Sequence, residues 1–174
     1  MTTLETERLL LRSFHAEDLD AYAAMHADPE VVRYLGDRMP LSREDAWRSM
    51  AMILGHWTLR GFGLWAVEEK ATGALVGRVG LFEPDGWPGQ EVGWTLAREH
   101  WGKGYAFEAA SSSLDHAFHT LAWPRAISLI DPANHRSIRL AERLGERFER
   151  EIEIRGRPTR LYAIERSDWR PHGA

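Results

Sequence analysis

The spacing of apolar residues along the chain changes between strand-like and helical patterns. Residues 6–14, "TERLLLRSF", cluster apolar side chains as a strand does, whereas residues 15–28, "HAEDLDAYAAMHAD", have the spacing of an amphipathic helix. Residues 41–61 open with Ser42 and carry Asp45 three positions later, which is typical of a capped helix start. These patterns predict a strand followed by two helices.

The rest of the chain shows a second series of elements. Pro29 and Gly61 are predicted to end the two early helices, and Gly145 a later one. The remaining elements, in chain order, are a strand hairpin (62–84), a strand (91–97), a long helix (104–121), a strand (125–131), a helix (134–145) and a final strand pair (148–156 and 159–166). With no repeat or linker between them, they predict a single domain over residues 1–174, of mixed α/β class.

Composition narrows the class of protein. The 174 residues are 44% hydrophobic and carry a formal net charge of −4, and no long basic run offers a footprint for nucleic acid. Because the chain has no cysteine, disulfides and cysteine-based metal sites are excluded. No apolar run approaches the roughly 20 residues of a membrane span, and Glu5 and Glu7 stand where a signal peptide carries positive charge. We therefore expect a cytoplasmic protein without a nucleic-acid or membrane partner.

Residues 91–110, "EVGWTLAREHWGKGYAFEAA", lead from a predicted strand through a glycine-containing turn into a helix. The first N–H groups of a helix have no intrahelical partner and attract anions, and Gly102 and Gly104 would let the main chain approach one. Lys103 adds a mobile positive charge. The turn is not a P-loop, because Gly104 rather than serine or threonine follows Lys103, and Phe107 breaks the dinucleotide fingerprint. The pattern predicts a pyrophosphate-sized site, with an ordinary turn as the alternative.

The same turn resembles the acyl-CoA signature of the GNAT superfamily, [QR]-x-x-G-x-[GA], over residues 101–106, with Trp101 in place of the usual glutamine or arginine. "WGKGYA…EA" is similar to the subgroup that contains the ribosomal-protein N-terminal acetyltransferases. Three other stretches resemble that subgroup in the right order: "TERLLLRSFHAEDLDAY", "DPANHRSIRLAERLG" and "RLYAIERSDW". The resemblance implies a mostly antiparallel central sheet of about six to seven strands, splayed in the middle and flanked by about four helices.

The resemblance also implies an acyltransferase that moves an acetyl group from acetyl-CoA to a primary amine by direct attack in a ternary complex. The acceptor would be a protein N-terminal α-amine or a small-molecule amine; a homodimer stays open, and no metal is implied. Helix capping is an equal alternative for Asn134, which can also serve as both, and a plain surface serine is the main alternative for Ser137. The implied acyl-CoA contacts, mostly through main-chain groups, are Trp94, Thr95, Leu96, Trp101, Gly102, Lys103, Gly104, Tyr105, Ala106, Asn134 and Ser137.

Amide formation needs a base or a water relay for the amine proton and optionally an acid for the leaving thiolate. Glu91 opens the strand that leads to the turn and is the predicted base, with a solvated strand-end carboxylate as an equal alternative. Many family members carry a tyrosine acid four residues before the glycine that ends the later helix, but here that position is Ala141. Ser137 or a water would then protonate the thiolate, or no acid is needed.

The missing tyrosine keeps a second function class open. A non-catalytic acyl-CoA-binding sensor or interaction module with a GNAT-like fold is the alternative to an enzyme. A nucleotide-phosphate domain is a third hypothesis, which the absent serine or threonine after Lys103 disfavours.

Several aromatic and titratable side chains are weaker site candidates. Candidate walls of an acceptor pocket are Trp57, Trp65, Tyr34 and the "RGRP" turn (155–158). Candidate carboxylates that attract a cationic amine are Glu83 and Asp85. Core packing is the favoured interpretation for the tryptophans and surface charge for Glu83 and Asp85. His116 and His119 have a metal-binding spacing without a third ligand, so solvated histidines are expected, and His100 is expected to be exposed.

Overall fold

One eight-stranded sheet, in the order β1-β2-β3-β4-β5-β6-β8-β7, runs through the computed structural model, which describes residues 1–171. The strands are β1 Leu4–Glu5, β2 Leu9–Arg12, β3 Leu64–Glu69, β4 Leu75–Phe82, β5 Glu91–Leu96, β6 Arg125–Ile130, β7 Arg147–Ile154 and β8 Arg157–Glu165. The helices are α1 Leu19–Ala27, α2 Pro29–Val32, α3 Arg43–Arg60, α4 Tyr105–His119 and α5 His135–Arg143. The mixed α/β class is confirmed. The two extra elements are the two-residue β1 and the four-residue α2, which are too short to show a periodic pattern.

The helix ends follow the predicted chemistry. Ser42 Oγ accepts a hydrogen bond from the Asp45 N–H (3.1 Å) at the start of α3, and Gly61 ends that helix with φ +77°. Pro29 both follows α1 and opens α2, with Asp28 as the N-cap. Proline is tolerated there because the first N–H groups of a helix have no helical acceptor.

The sheet splays between β5 and β6, as the resemblance implies. All other neighbouring strands are antiparallel, while β5 and β6 are parallel and joined by a single ladder pair, Glu91 with Ile127. Beyond that pair, Ser128 Oγ rather than a main-chain N–H donates a hydrogen bond to the Val92 carbonyl (2.8 Å). The two strands therefore separate, and a cleft opens between them.

The two faces of the sheet carry different helices. Successive side chains of a strand point to opposite faces, so Glu91 and Thr95 lie on one face and Trp94 on the other. On the Trp94 face α4 packs against β3 and β4 through the ring contact of His116 with Trp65. On the Glu91 face α3 packs against β4 through the stacked rings of His56 and Phe82. The cleft thus has access to both faces.

Candidate active site

A cleft of about 950 Å³ lies at the splay. Its lining includes Glu91 and almost all of the predicted acyl-CoA contacts: Trp94, Thr95, Leu96, Trp101, Gly102, Gly104, Tyr105, Ala106, Asn134 and Ser137. Lys103 is the exception among the predicted residues: it does not line the cleft, and its exposed Nζ lies 5.9 Å from the centroid of the Tyr105 ring. Its position suits a long-range charge rather than a direct contact.

The turn before α4 is built on two glycines in the left-handed region. Gly102 has φ +77° and Gly104 has φ +84°, values that other residues adopt only with strain. A Cβ on Gly102 would meet nothing within 4 Å, and one on Gly104 would meet only Arg8 Nη2 at 3.3 Å. The first helical hydrogen bond of α4 runs from the Glu108 N–H to the Gly104 carbonyl (3.1 Å). The start of α4 therefore presents main-chain N–H groups beside open space in the cleft.

An ion pair from the first strand segment supports this turn. Arg8 Nη2 lies 2.6 Å from Glu108 Oε2, Arg8 Nη1 donates to the Lys103 carbonyl (2.9 Å), and the guanidinium covers the Tyr105 ring at 4.7 Å. Tyr105 is 7% exposed and its hydroxyl donates to Glu69, so its side chain serves the fold. The sequence gives no local signal for Arg8, which is nearly a hundred residues away, although Glu108 belongs to the "EA" of the quoted motif.

The start of α5 forms the opposite wall. Asn134 Oδ1 accepts from the Ser137 N–H (3.2 Å), so Asn134 is the helix cap and also lines the cleft. Ser137 Oγ accepts from Trp94 Nε1 (3.1 Å), which makes Ser137 more than a plain surface serine. Arg136 lies 4.6 Å above the Trp101 ring, whose Nε1 donates to the Leu96 carbonyl. The tryptophan that replaces glutamine or arginine thus holds a guanidinium beside the turn.

Glu91 lies where β5 and β6 part. It is half-buried, and one carboxylate oxygen accepts from Trp87 Nε1 at 2.6 Å while the Leu129 N–H also donates to the group. Burial raises the pKa of Glu91 to about 7, against the opposing effect of these two donors and of the Arg78 charge. The interpretation as a solvated strand-end carboxylate is therefore wrong. A carboxyl with this pKa can take up a proton at neutral pH.

A second carboxyl lies beneath the cleft. Glu146 is 2% exposed, its Oε1 lies 3.0 Å from Ser128 Oγ, and its Oε2 has no hydrogen-bond partner within residues 1–171. The Ser128 hydroxyl has one proton for two acceptors, the Val92 carbonyl and Glu146 Oε1, and a protonated Glu146 can supply a second proton to this contact. Burial, and then the charge of Glu91, raise its pKa to about 8. Nothing in the charged sequence around Glu146 distinguishes it.

The weaker candidates divide between core and cleft. Trp57 and Trp65 are buried in the core, as favoured, whereas Tyr34 and three residues of the 155–158 turn line the cleft. Glu83 and Asp85 lie outside the lining, so they do not form an amine site there.

The histidine predictions failed in part. His100 is 9% exposed rather than open to solvent, and His116 is buried against Trp65, while His119 is exposed beside Asp115. The helical spacing of His116 and His119 could not show that the first faces the sheet. Across residues 1–171, no group of three or more His, Cys, Asp or Glu side chains gathers to hold a metal ion. Over the same residues, no helix is both long and apolar enough to span a membrane.

Comparison with known proteins agrees with this geometry. Residues 8–147 match the model of the GNAT acetyltransferase domain. The chain is 31% identical to YkkB of Bacillus subtilis (92% of this chain, 94% of that protein) and 34% identical to the uncharacterized N-acetyltransferase p20 of Bacillus licheniformis (89% and 86%). The crystal structure of an Agrobacterium tumefaciens acetyltransferase shares 32% identity, covers 95% of each chain and has a TM-score of 0.85. The chain therefore belongs to the GNAT acetyltransferase family and is an acyltransferase.

More distant structures share the fold alone. A ribosomal-protein-S5-alanine acetyltransferase from Vibrio fischeri is 18% identical with a TM-score of 0.76 (98% of this chain, 100% of that chain). A spermidine N-acetyltransferase from Vibrio cholerae, solved with CoA and spermine, is 22% identical with a TM-score of 0.75 (94% and 98%). One fold therefore serves both protein and polyamine acceptors, and it does not choose between them.

Proposed function

We propose that this acetyltransferase moves the acetyl group of acetyl-CoA directly to a primary amine, with Glu91 as the base. The observation that carries the proposal is the half-buried Glu91 carboxyl, whose pKa is about 7, in the same cleft as the glycine turn at the start of α4. A base with a pKa near the working pH is suited to accept a proton from an attacking amine.

The cofactor side of the cleft fits a pyrophosphate joined to an extended chain. The N–H groups at the start of α4 and the Arg136 guanidinium supply positive charge, and the left-handed Gly102 and Gly104 leave their surroundings open. Beyond Glu91 the ladder between β5 and β6 ends, so the edge of β5 near Trp94 can pair with the amides of pantetheine. Acetyl-CoA supplies the activated acetyl group at this edge.

The chain's own groups handle the protons. Glu91 removes a proton from the amine as its nitrogen bonds to the acetyl carbon and the carbon–sulfur bond breaks. Ser137 Oγ accepts a hydrogen bond from Trp94, so its own proton stays available for the departing thiolate. Ala141 is fully buried and has no group to offer. Glu91 then returns its proton to solvent, and Ser137 regains one from solvent, so that both groups end in their starting states.

The first test is heat stability in the presence of acetyl-CoA. A ligand that binds only the folded state raises the melting temperature, and the rise grows with the logarithm of the ratio of ligand concentration to Kd. No shift at saturating acetyl-CoA would reject the acyl-CoA site. A shift without thiol release for any member of a panel of amines and peptides would favour the sensor instead. A cytoplasmic protein with one domain over residues 1–174 remains part of the proposal; a homodimer stays open.

A further inference from the structure

Arg78 is a charged residue of the cleft that the proposed chemistry does not use. It lies in β4 opposite Thr95 of β5, and directly paired residues of antiparallel strands share a face, so Arg78 lies on the same face as Glu91. The side chain is half-buried and lines the cleft. Its Nε is buried without a hydrogen-bond partner, and no hydrogen bond or ion pair joins Arg78 to another residue of the described chain.

Three neighbouring arginines of this side of the cleft are different. Arg33 is paired with Glu30, Arg38 is paired with Asp131, and Arg157 donates to the Asp37 carbonyl (3.3 Å). Arg33 and Arg38 are therefore exposed and already paired with a carboxylate, and Arg157 has one carbonyl as a partner. Arg139 and Arg155 also line the cleft without a hydrogen bond or ion pair to another residue within 1–171, but both are exposed, whereas Arg78 is half-buried with its donors unused.

Arg78 acts electrostatically on Glu91 and His26, but neither side chain neutralises its charge. Glu91 is the nearby carboxyl, but it forms no ion pair with Arg78 and its pKa of about 7 leaves it partly uncharged at neutral pH. Burial, and then the Arg78 charge, lower the pKa of His26 on α1 to about 4, so its ring is neutral. His26 Nδ1 lies 3.0 Å from the Tyr22 carbonyl. A half-buried guanidinium is therefore left without a full counter-charge, which is unfavourable.

The surroundings define what can supply that charge. Leu64, Phe82, Trp87 and Tyr34 line the same side of the cleft and are apolar or aromatic. A guanidinium in such a setting binds a carboxylate through two parallel hydrogen bonds, more strongly than in open water. Thr95, opposite Arg78, is four strand residues from Glu91, roughly 14 Å along the backbone, and the Arg78 charge still acts on the Glu91 carboxyl across this span.

We propose that Arg78 binds a carboxylate of the acceptor, and that the acceptor is a free amino acid with an apolar or aromatic side chain whose amine is presented to Glu91. This inference rests on the proposed function and refines its substrate class. A polyamine would bring a further positive charge toward Arg78, and the N-terminal residue of a protein has an amide where a free amino acid has its carboxylate. Both are therefore poorer acceptors on this account.

Three probes of one shape test the carboxylate. L-phenylalanine, L-phenylalaninamide and 2-phenylethylamine share the ring and the amine, but only the first has a carboxylate. With CoA present, we expect calorimetry to show at least about tenfold tighter binding of L-phenylalanine than of the other two. Equal affinities, or no binding of L-phenylalanine at millimolar concentration, would overturn the proposal. O-phosphoethanolamine against ethanolamine is the phosphate arm: a larger preference there would replace carboxylate by phosphate and so reject the amino-acid assignment.

Variants assign the preference to the residue. In Arg78→Met the gap between L-phenylalanine and 2-phenylethylamine should close to within about twofold, whereas Arg48→Met, an exposed arginine of α3, should keep it. A gap that persists in Arg78→Met contradicts the assignment. Stabilisation by acetyl-CoA separates the two proposals, because it should remain in Arg78→Met and fails only if the acyl-CoA site itself is wrong. Arg78→Lys, which keeps the charge, serves if the methionine variant does not fold.

Discussion

The two sides of the cleft are built from different materials. On the proposed cofactor side most of the binding groups belong to the backbone, namely the start of α4, two left-handed glycines and the free edge of β5, and Arg136 adds a side chain. On the acceptor side they are side chains, above all Glu91 and Arg78, brought together from separate strands. A backbone site tolerates most side-chain changes but not a change of conformation. A site built from side chains is lost when one of those side chains is replaced, even if the backbone keeps its conformation.

This difference gives the variants distinct signatures. Changes on the acceptor side should alter turnover, its pH dependence and acceptor choice while leaving acetyl-CoA affinity intact. Changes on the cofactor side should alter acetyl-CoA affinity first. A variant with the wrong signature would break the division.

Replacing Glu91, the proposed base, should have the largest effect on turnover. Glu91→Gln keeps an acceptor for the Trp87 N–H but cannot take a proton, so turnover should fall about 10²-fold or more. Because Glu91 must be ionised to act, kcat/KM of the wild type should rise with pH through about 7, and the variant should lose that limb. Asp85→Asn, an exposed carboxylate of the preceding turn, is the matched control. Wild-type turnover in Glu91→Gln would leave water as the relay.

Glu146, the buried carboxyl beneath the cleft, should make the stability of the fold depend on pH. Glu146 has a pKa of about 8 when folded and near 4.5 when unfolded, so the folded state holds a proton that the unfolded chain releases between those values. The free energy of unfolding should therefore fall as pH rises from about 5 to about 8.

Glu146→Gln mimics the neutral acid and should remove roughly 3–4 kcal/mol of that fall, measured by urea unfolding at both pH values. Glu142→Gln, exposed on α5, should leave the pH dependence unchanged. An identical slope in wild type and Glu146→Gln would mean that the folded state does not hold a proton on Glu146, and the raised pKa would be rejected.

What the sequence could predict follows the same division. The turn at Gly102 and Gly104 is local, so strand, glycines and helix start appear as one pattern within twenty residues, and most of the elements are confirmed. Arg78 and Glu146 carry no such signal, because their meaning comes from contacts with strands far away in the chain. A charged residue in a strand pattern looks solvated until the register shows that it faces a cleft. Arg8 and Glu108 illustrate this too, as they meet across a hundred residues.

A residue with a side chain in the glycine turn should disturb cofactor binding. Gly104→Val forces a branched side chain into φ +84° and beside the N–H groups of α4, so acetyl-CoA affinity should fall at least about tenfold, or ~1.4 kcal/mol. Gly73→Val is the matched control, because Gly73 has φ +72° with nothing near a Cβ and lies in the β3–β4 turn, outside the cleft lining.

Both glycine variants should lose a similar amount of stability in a melting curve, since the backbone strain is alike. Only Gly104→Val should lose affinity for acetyl-CoA. If Gly104→Val folds and binds acetyl-CoA as the wild type does, the two glycines serve only the turn.

The smallest effect is expected at Lys103, the residue of the turn that carries its most obvious charge. Its side chain is exposed and outside the cleft lining, so water and salt screen its attraction for a bound anion. Lys103→Ala should weaken acetyl-CoA binding by less than about threefold at physiological salt, with more loss at low salt. Arg136→Ala should cost more, because the guanidinium stacked on Trp101 is held in place by the ring and lines the cleft. Titration of both variants at two salt concentrations checks the order. A larger loss at Lys103 than at Arg136 would show that the mobile lysine, rather than the backbone and the stacked arginine, holds the phosphates, and the cofactor side would then no longer be a backbone site.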